Sequence, residues 1–289
     1  MRSATQNVNE RSDMMVPTRT FLIAFHTPTL ALLNVLILLG VLSGCATVRG
    51  SPVEVRYQEG VAEGFVTVSS LDGKKLGEGE ATQLAAGIDR VASRLSLRFK
   101  DGSLHDEKVV FSQTSQFKLV SYSLVQHGPS FGEPVNVSLD METNTYTLHR
   151  NGPRDEQTLL TGHLDLPSDT YNGMTVTLLK NLEQNASVTV HMLNFEPEPK
   201  LYAVELIPME KEPVRAGGLS QDAVHYVLKP KLGWFLQNLA SWLGKLPPPY
   251  HFWILKGKVP AFVRFEGPLY TNGPMWRIEQ ASPKLRTGK

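Results

Sequence analysis

Arg94-Leu95-Ser96-Leu97-Arg98-Phe99 is the stretch that decides the fold class. Leu95, Leu97 and Phe99 occupy every second position, with Arg94, Ser96 and Arg98 between them. Successive side chains of an extended chain point to opposite faces, so this stretch reads as a strand with one dry and one wet face. The same period recurs downstream. Val135, Val137 and Leu139 alternate with Asn136, Ser138 and Asp140, and Val188, Val190 and Met192 alternate with Thr189 and His191. Turn formers separate such segments: Asp72-Gly73, Asp101-Gly102, Gly128-Pro129 and Asn151-Gly152-Pro153. Short strands at about ten-residue spacing predict a mainly β protein, an antiparallel meander forming a curved sheet, half-barrel or barrel, and exclude βαβ units.

Two segments break this rhythm and predict one or two short helices. Ser168 can cap a helix running to about Leu182, with Asp169 at its positive end, Lys180 near its negative end and Tyr171, Met174, Leu178 and Leu182 as its apolar stripe. Gly173 and the β-branched run Thr175-Val176-Thr177 weigh against it. Further on, Leu232, Phe235, Leu236, Leu239, Trp242, Leu243 and Leu246 follow helical spacing, with Gln237, Ser241 and Lys245 opposite. Pro247-Pro248-Pro249 ends that helix. Glu210 to Ser220, with Pro213 and Gly217-Gly218, reads as a linker.

At the N-terminus, Leu30 to Leu42 is an apolar run interrupted only by Asn34, with Arg19 upstream and Ser43-Gly44-Cys45 following. A charged region, a short apolar region and a small-residue site form the signature of a secretory signal. Leu42-Ser43-Gly44-Cys45 resembles the lipobox of bacterial lipoproteins, which implies cleavage before Cys45 and acylation of its thiol. An uncleaved anchor over Phe21 to Leu42 is about long enough to span a bilayer, but His26, Pro28 and Asn34 interrupt it. The resemblance also implies export to the outer membrane, facing the periplasm, since Ala46 and not an aspartate follows the cysteine and if the host has two membranes. The chain thus divides into a signal (1–44), a lipidated tether (45–60) and one β-rich domain (61–289) with an aromatic C-terminal elaboration from about residue 222. The signal carries three of the 29 bases and two of the 28 acids, leaving 26 of each. A neutral domain gives no electrostatic footprint for nucleic acid. Attraction to anionic headgroups is no main membrane signal either, which leaves the acyl chains.

Chemistry-bearing motifs are sparse. One cysteine excludes an internal disulfide and any multi-thiolate metal site. The sequence has no nucleophile elbow, zinc-protease motif, phosphate loop or dinucleotide fingerprint, and Gly77-Glu78-Gly79 reads as a bend in a strand. No cofactor, metal site or catalytic residue is predicted. His105-Asp106-Glu107 reads as a solvated turn, because alternating residues cannot all face one ion. His163 and Asp165 read as a surface pair, and the sequons at Asn136 and Asn185 as chance. The aromatics are more informative. All four tryptophans, Trp234, Trp242, Trp253 and Trp276, fall after residue 233, with Phe235 among them. Tryptophan suits sites apolar at one end and wet at the other, so these five residues are the candidate contacts for a ligand or partner.

A lipobox followed by an antiparallel meander, an inserted helix and an apolar closing helix resembles the half-barrel envelope lipoproteins of the LolA/LolB kind. That architectural likeness implies a curved sheet around acyl chains. Two functions lead from the sequence, with an envelope hydrolase third, disfavoured by the missing nucleophile and metal motifs but still open because triads need not be local in sequence. One is a non-catalytic, lipid-anchored envelope protein binding an apolar or lipidic ligand. The other is a scaffolding lipoprotein binding a protein partner. A continuous apolar cavity favours the first, and a filled core with an exposed aromatic patch of several hundred Å² favours the second.

Overall fold

The computed structural model describes residues 50–151, 157–195, 198–216, 219–231 and 248–281. The signal, Cys45, and residues 232–247 with Trp234, Phe235 and Trp242 lie outside the described residues. Eight strands come first: β1 (Ala62–Ser70), β2 (Lys75–Ala85), β3 (Arg90–Phe99), β4 (Leu104–Gln113), β5 (Phe117–His127), β6 (Val135–Asp140), β7 (Thr145–Asn151) and β8 (Gln157–His163). One helix, α1 (Thr175–Asn181), leads to β9 (Val188–Asn194), β10 (Lys200–Ala216), β11 (Leu219–Pro230), β12 (Tyr250–Leu255), β13 (Ala261–Gly267) and β14 (Trp276–Gln280). All fourteen form one antiparallel sheet in the order β8-β7-β6-β5-β4-β3-β2-β1-β14-β13-β12-β11-β10-β9. Two meanders therefore meet at β1 and β14, where Val68 faces Ile278.

The sheet curls. Tyr122 on β5 stacks on Phe195, just past the far edge strand β9, with ring centroids 6.2 Å apart. Gln126 on β5 donates to the Leu269 carbonyl beyond β13 at 2.8 Å. A flat sheet would hold these strands many interstrand spacings of about 4.8 Å apart. The inner face carries one continuous core, including Val66, Val68, Leu97, Phe111, Val137, Leu148, Leu206, Tyr226 and Ile278. The alternation of Leu97 and Phe99 puts both in this core, as their spacing predicts.

The segment between β8 and β9 plugs the interior. Tyr171, Met174, Leu178 and Leu179 are fully buried, and the Tyr171 hydroxyl donates to the Phe117 carbonyl at 3.0 Å. α1 is shorter than the helix predicted from Ser168. Gly173 has φ +71°, a left-handed conformation that no helix interior tolerates, and residues 169–171 bond to the backbone of β9 instead. Lys256 ends the helix by donating to the carbonyls of Leu179, Lys180 and Leu182 at 2.8, 3.0 and 3.2 Å. These are the orphan acceptors that every helix leaves at its C-terminus.

Three further sequence readings are corrected. Residues 210–216 and 219–220 are no linker but the paired ends of β10 and β11, with Pro213 opposite Asp222 and Val214 opposite Gln221. Their polar alternation looks like a linker because this hairpin turns only Val214 and Ala223 into a small cluster with Trp253 and Val263. Residues 50–60 do not hang free as a tether. Val53 and Glu59 are buried, the Phe117 amide donates to the Val53 carbonyl, and the Glu59 amide donates to the Gln113 side chain. Finally, His105-Asp106-Glu107 is part of β4. The turn falls earlier, at Asp101–Ser103, where Gly102 has φ +89° and the Asp101 carboxylate accepts from the Ser103 amide.

Candidate functional site

Strand alternation divides the His105 trio between faces. Asp106 lies on the outer face, bonded to Arg94 at 2.6 Å and near Lys108 at 3.5 Å. His105 lies inside at 4% exposure, and its Nδ1 faces the Gln126 Nε2 at 2.8 Å. An amide nitrogen only donates, so Nδ1 is the acceptor and the proton sits on Nε2. That Nε2 is buried without a partner among the described residues. Burial holds the imidazole neutral, with a pKa lowered to about 4. Glu107 shares the inner face, where burial raises its pKa, and it accepts from the Tyr122 hydroxyl at 3.1 Å. Burial first, and the Glu107 charge second, raise Tyr122 well above the ordinary phenol value.

Tyr122 and Gln126 line a cavity of about 110 Å³. Its other walls are Leu124, Val135, Leu193, Asn194, Phe195, Leu269, Tyr270 and Thr271, so it sits where the β13–β14 loop and the end of β9 cover β5 and β6. Beside it, Phe131 is the hub of an aromatic group. Its ring lies 5.5 Å from Phe99, 5.8 Å from Tyr270 and 5.7 Å from Trp276, mostly edge to face. The volume is well under the ~300 Å³ lower bound for small-molecule sites, and below the ~150 Å³ that admits one benzene. A second cavity, of about 340 Å³, opens beside Val125, His127, Pro134, Asn136 and His149 and shares Gln126 and Val135 with the first.

A second polar group lies on the outer face of β10–β14. Trp253 is buried there, its indole donating to Glu212 Oε2 at 2.9 Å. His225 stacks on Trp253 at 4.6 Å, its Nδ1 2.9 Å from Glu212 Oε1 and its Nε2 2.8 Å from His251 Nδ1. Arg264 covers the other side of the indole at 5.3 Å and pairs with Glu279 at 2.8 Å. Burial first, and the neighbouring His225 second, lower the His251 pKa. The facing nitrogens of this Glu212–His225–His251 chain are used on one another. Among the described residues no group of three His, Cys, Asp or Glu side chains is placed to hold a metal ion.

Of the five aromatics predicted to form a contact, Trp253 and Trp276 are described, and the sheet separates them. Trp276 packs inside on Phe99 and Phe131, Trp253 outside on His225 and Arg264. They form no common site. Trp234, Trp242, Phe235 and the acylation residue Cys45 fall outside the described residues. His163 and Asp165 do form a surface pair, 3.4 Å apart at 60% and 98% exposure. Sequence reasoning missed Gln126, His225, His251 and Glu212, and set Glu107 aside in a solvated turn. His251, two residues before Trp253 on one strand face, was the only local signal; the other neighbours meet through strand register.

No family model matches the chain, and no curated protein matches it. Among solved structures, it is similar to a β-barrel-like protein of domain of unknown function DUF1849 from Brucella abortus, at 9% identity and a TM-score of 0.40, over 81% of this chain and 98% of that one. The fold class itself, among the described residues a curved open antiparallel sheet of fourteen strands with the helix α1, is given by the strand order.

Proposed function

We propose that this chain is a non-catalytic, lipid-anchored protein of the bacterial cell envelope whose barrel-like domain is a scaffold for a protein partner. The observation that carries this reading is the packed inner face: Val68, Leu97, Phe111, Leu148, Tyr171 and Leu178 are fully buried there, and the cavity beside Tyr122, of about 110 Å³, is too small for an acyl chain.

The two edges of the sheet differ in a way that supports the same reading. β9 is covered: the Ser51 amide donates to the Thr189 carbonyl, and Asp169 and Tyr171 exchange backbone bonds with His191. β8 has no such cover among the described residues. Its sequence Gln157-Thr158-Leu159-Leu160-Thr161-Gly162-His163 carries no lysine or proline, and Leu159 is 57% exposed. A bare edge of this kind accepts an added strand, the commonest way for a sheet to take up an extended peptide.

Cross-linking from position 159 in the native membrane tests the reading, together with native mass spectrometry of the purified protein. A discrete protein adduct that Leu159→Asp abolishes, with no lipid retained beyond the covalent anchor, is the expected result. A lipid held in stoichiometric amount would carry the apolar-ligand reading instead.

A further inference from the structure

Exposed apolar side chains are concentrated at one end of the sheet. In an antiparallel meander every second turn lies at the same end, so the β2–β3, β10–β11 and β12–β13 turns share the end at which β1 begins. Ile88, in the first of these turns, is 102% exposed; Val259, in the third, is 83% exposed; Leu219, opening β11, is 68% exposed. Val61, immediately before β1, is 76% exposed, and Leu84 near the end of β2 is 58% exposed. The opposite end carries Leu71, at 43%; both ends bear charged turn residues, Asp72, Lys74, Lys100 and Asp101 there and Asp89, Arg90 and Lys258 here, so it is the apolar tips that distinguish them. A monomeric protein scatters single exposed apolar residues anywhere, but their collection on successive hairpin tips marks a surface that meets something apolar.

The segment leading back to Cys45 is fastened at this same end. Val53 and Val55 bond to Phe117 and Ser115, and Glu59 to Gln113, all at the β4–β5 turn. From Gly50, the first described residue, five residues lead to Cys45, a reach of at most about 17 Å at ~3.4 Å per residue. We propose that this end of the sheet is a bilayer-contacting surface, with Ile88, Leu219 and Val259 dipping into the interface of the membrane that holds the acyl chains. The inference rests on the lipid-anchored reading above. The occupant is a lipid surface because a tether this short keeps the domain within reach of one. Such contact uses apolar insertion and not charge, which suits a domain with 26 bases and 26 acids.

Spin labels on the full acylated chain in phosphatidylcholine vesicles provide the test. Labels are placed at Ile88→Cys and Val259→Cys, with Leu71→Cys as the control at the other end. The expected result is relaxation of the labels at 88 and 259 by oxygen in preference to a water-soluble nickel chelate, at least about threefold over the label at 71, because oxygen concentrates in lipid. Equal relaxation by the chelate at all three positions overturns the proposal. Shielding of 88 and 259 from both relaxants also overturns it, since a second copy of the chain would then cover this end. Intact mass measured on the same samples separates the two readings. Without acyl chains on Cys45 the anchoring itself fails, whereas acylated chains with water-exposed labels sink only the docking surface.

Discussion

Trp253 and Trp276 lie on opposite faces of one sheet, although only β13 separates their strands. Trp276, at 4% exposure, fills the inner core against Phe99 and Phe131. Trp276→Ala should therefore cost about 3–5 kcal/mol, the range for emptying a large aromatic site. Trp253→Ala removes one indole from a smaller cluster and leaves Glu212 its bond to His225, so it should cost less. Urea melts of both variants check the order. A larger loss for Trp253→Ala would show that the outer cluster, and not the core, holds β12 in place.

Membrane attachment should depend on one atom. Cys45→Ser removes the only thiol in the chain, and the variant is expected in the soluble fraction after a carbonate wash. Its presence in the pellet would mean that residues 21–42 anchor the chain as an uncleaved helix.

Acid should unfold the domain partly through His105. Its folded pKa is lowered to about 4 from 6.5. The folded state thus stays neutral while the unfolded chain takes up a proton. The contribution is present above pH 6.5 and is lost as pH falls towards 4, amounting to about 3 kcal/mol at 1.36 kcal/mol per unit. Denaturant midpoints between pH 7 and pH 4 should fall accordingly. His105→Phe, which keeps a ring against Phe131, should flatten that slope while lowering stability at pH 7, because Gln126 loses an acceptor.

Lys256 should behave in the opposite range. Burial, with Arg56 adding to it, lowers its pKa from 10.5 to about 8. Between these values the folded lysine is neutral while the unfolded one is charged, so the penalty for burying the cation is relieved as pH rises from 8 to 10.5. Lys256→Met keeps the stem but strands the α1 carbonyls, which should cost about 1–3 kcal/mol near pH 7 and remove the alkaline rise. Thermal melts across pH 7–10 read both effects.

Gly173→Ala should be costly although the residue is small. A Cβ there would lie 3.2 Å from the Tyr122 ring and 3.3 Å from Val109, at a φ of +71°. A loss of about 1–3 kcal/mol is expected from the backbone alone. An unchanged melting temperature would show that α1 can rotate away from Tyr122.

The strand class was legible because its signal is local. Leu95, Leu97 and Phe99 need only their neighbours in sequence to reveal a dry face. The β10–β11 hairpin was not legible, since outside the main core it turns only Val214 and Ala223 to a partner, and that partner is Trp253 some forty residues away. His105 was misplaced for a similar reason. Its surroundings read as a charged turn, while the residues that bury it, Gln126 and Phe131, come from later in the chain. Trp253 and Trp276 shared a region of sequence, and proximity in sequence says nothing of faces across three strands. The site residues that register brings together, Glu107 with Tyr122 and Glu212 with His225, leave no mark that one strand alone could carry.

The junction of β1 and β14 bears on the order in which the protein can be made. β1 is the first of the described strands to be made, yet one of its two neighbours is the last of them. Until Trp276–Gln280 arrives, Val66 to Ser70 lacks a partner on that side. Closure of this domain must therefore wait for β14, with a strand pairing that spans about two hundred residues of chain, the slow, non-local kind of closure. If the chain is exported as proposed above, that delay is useful, because a domain unable to close before β14 is complete stays threadable while it crosses the membrane.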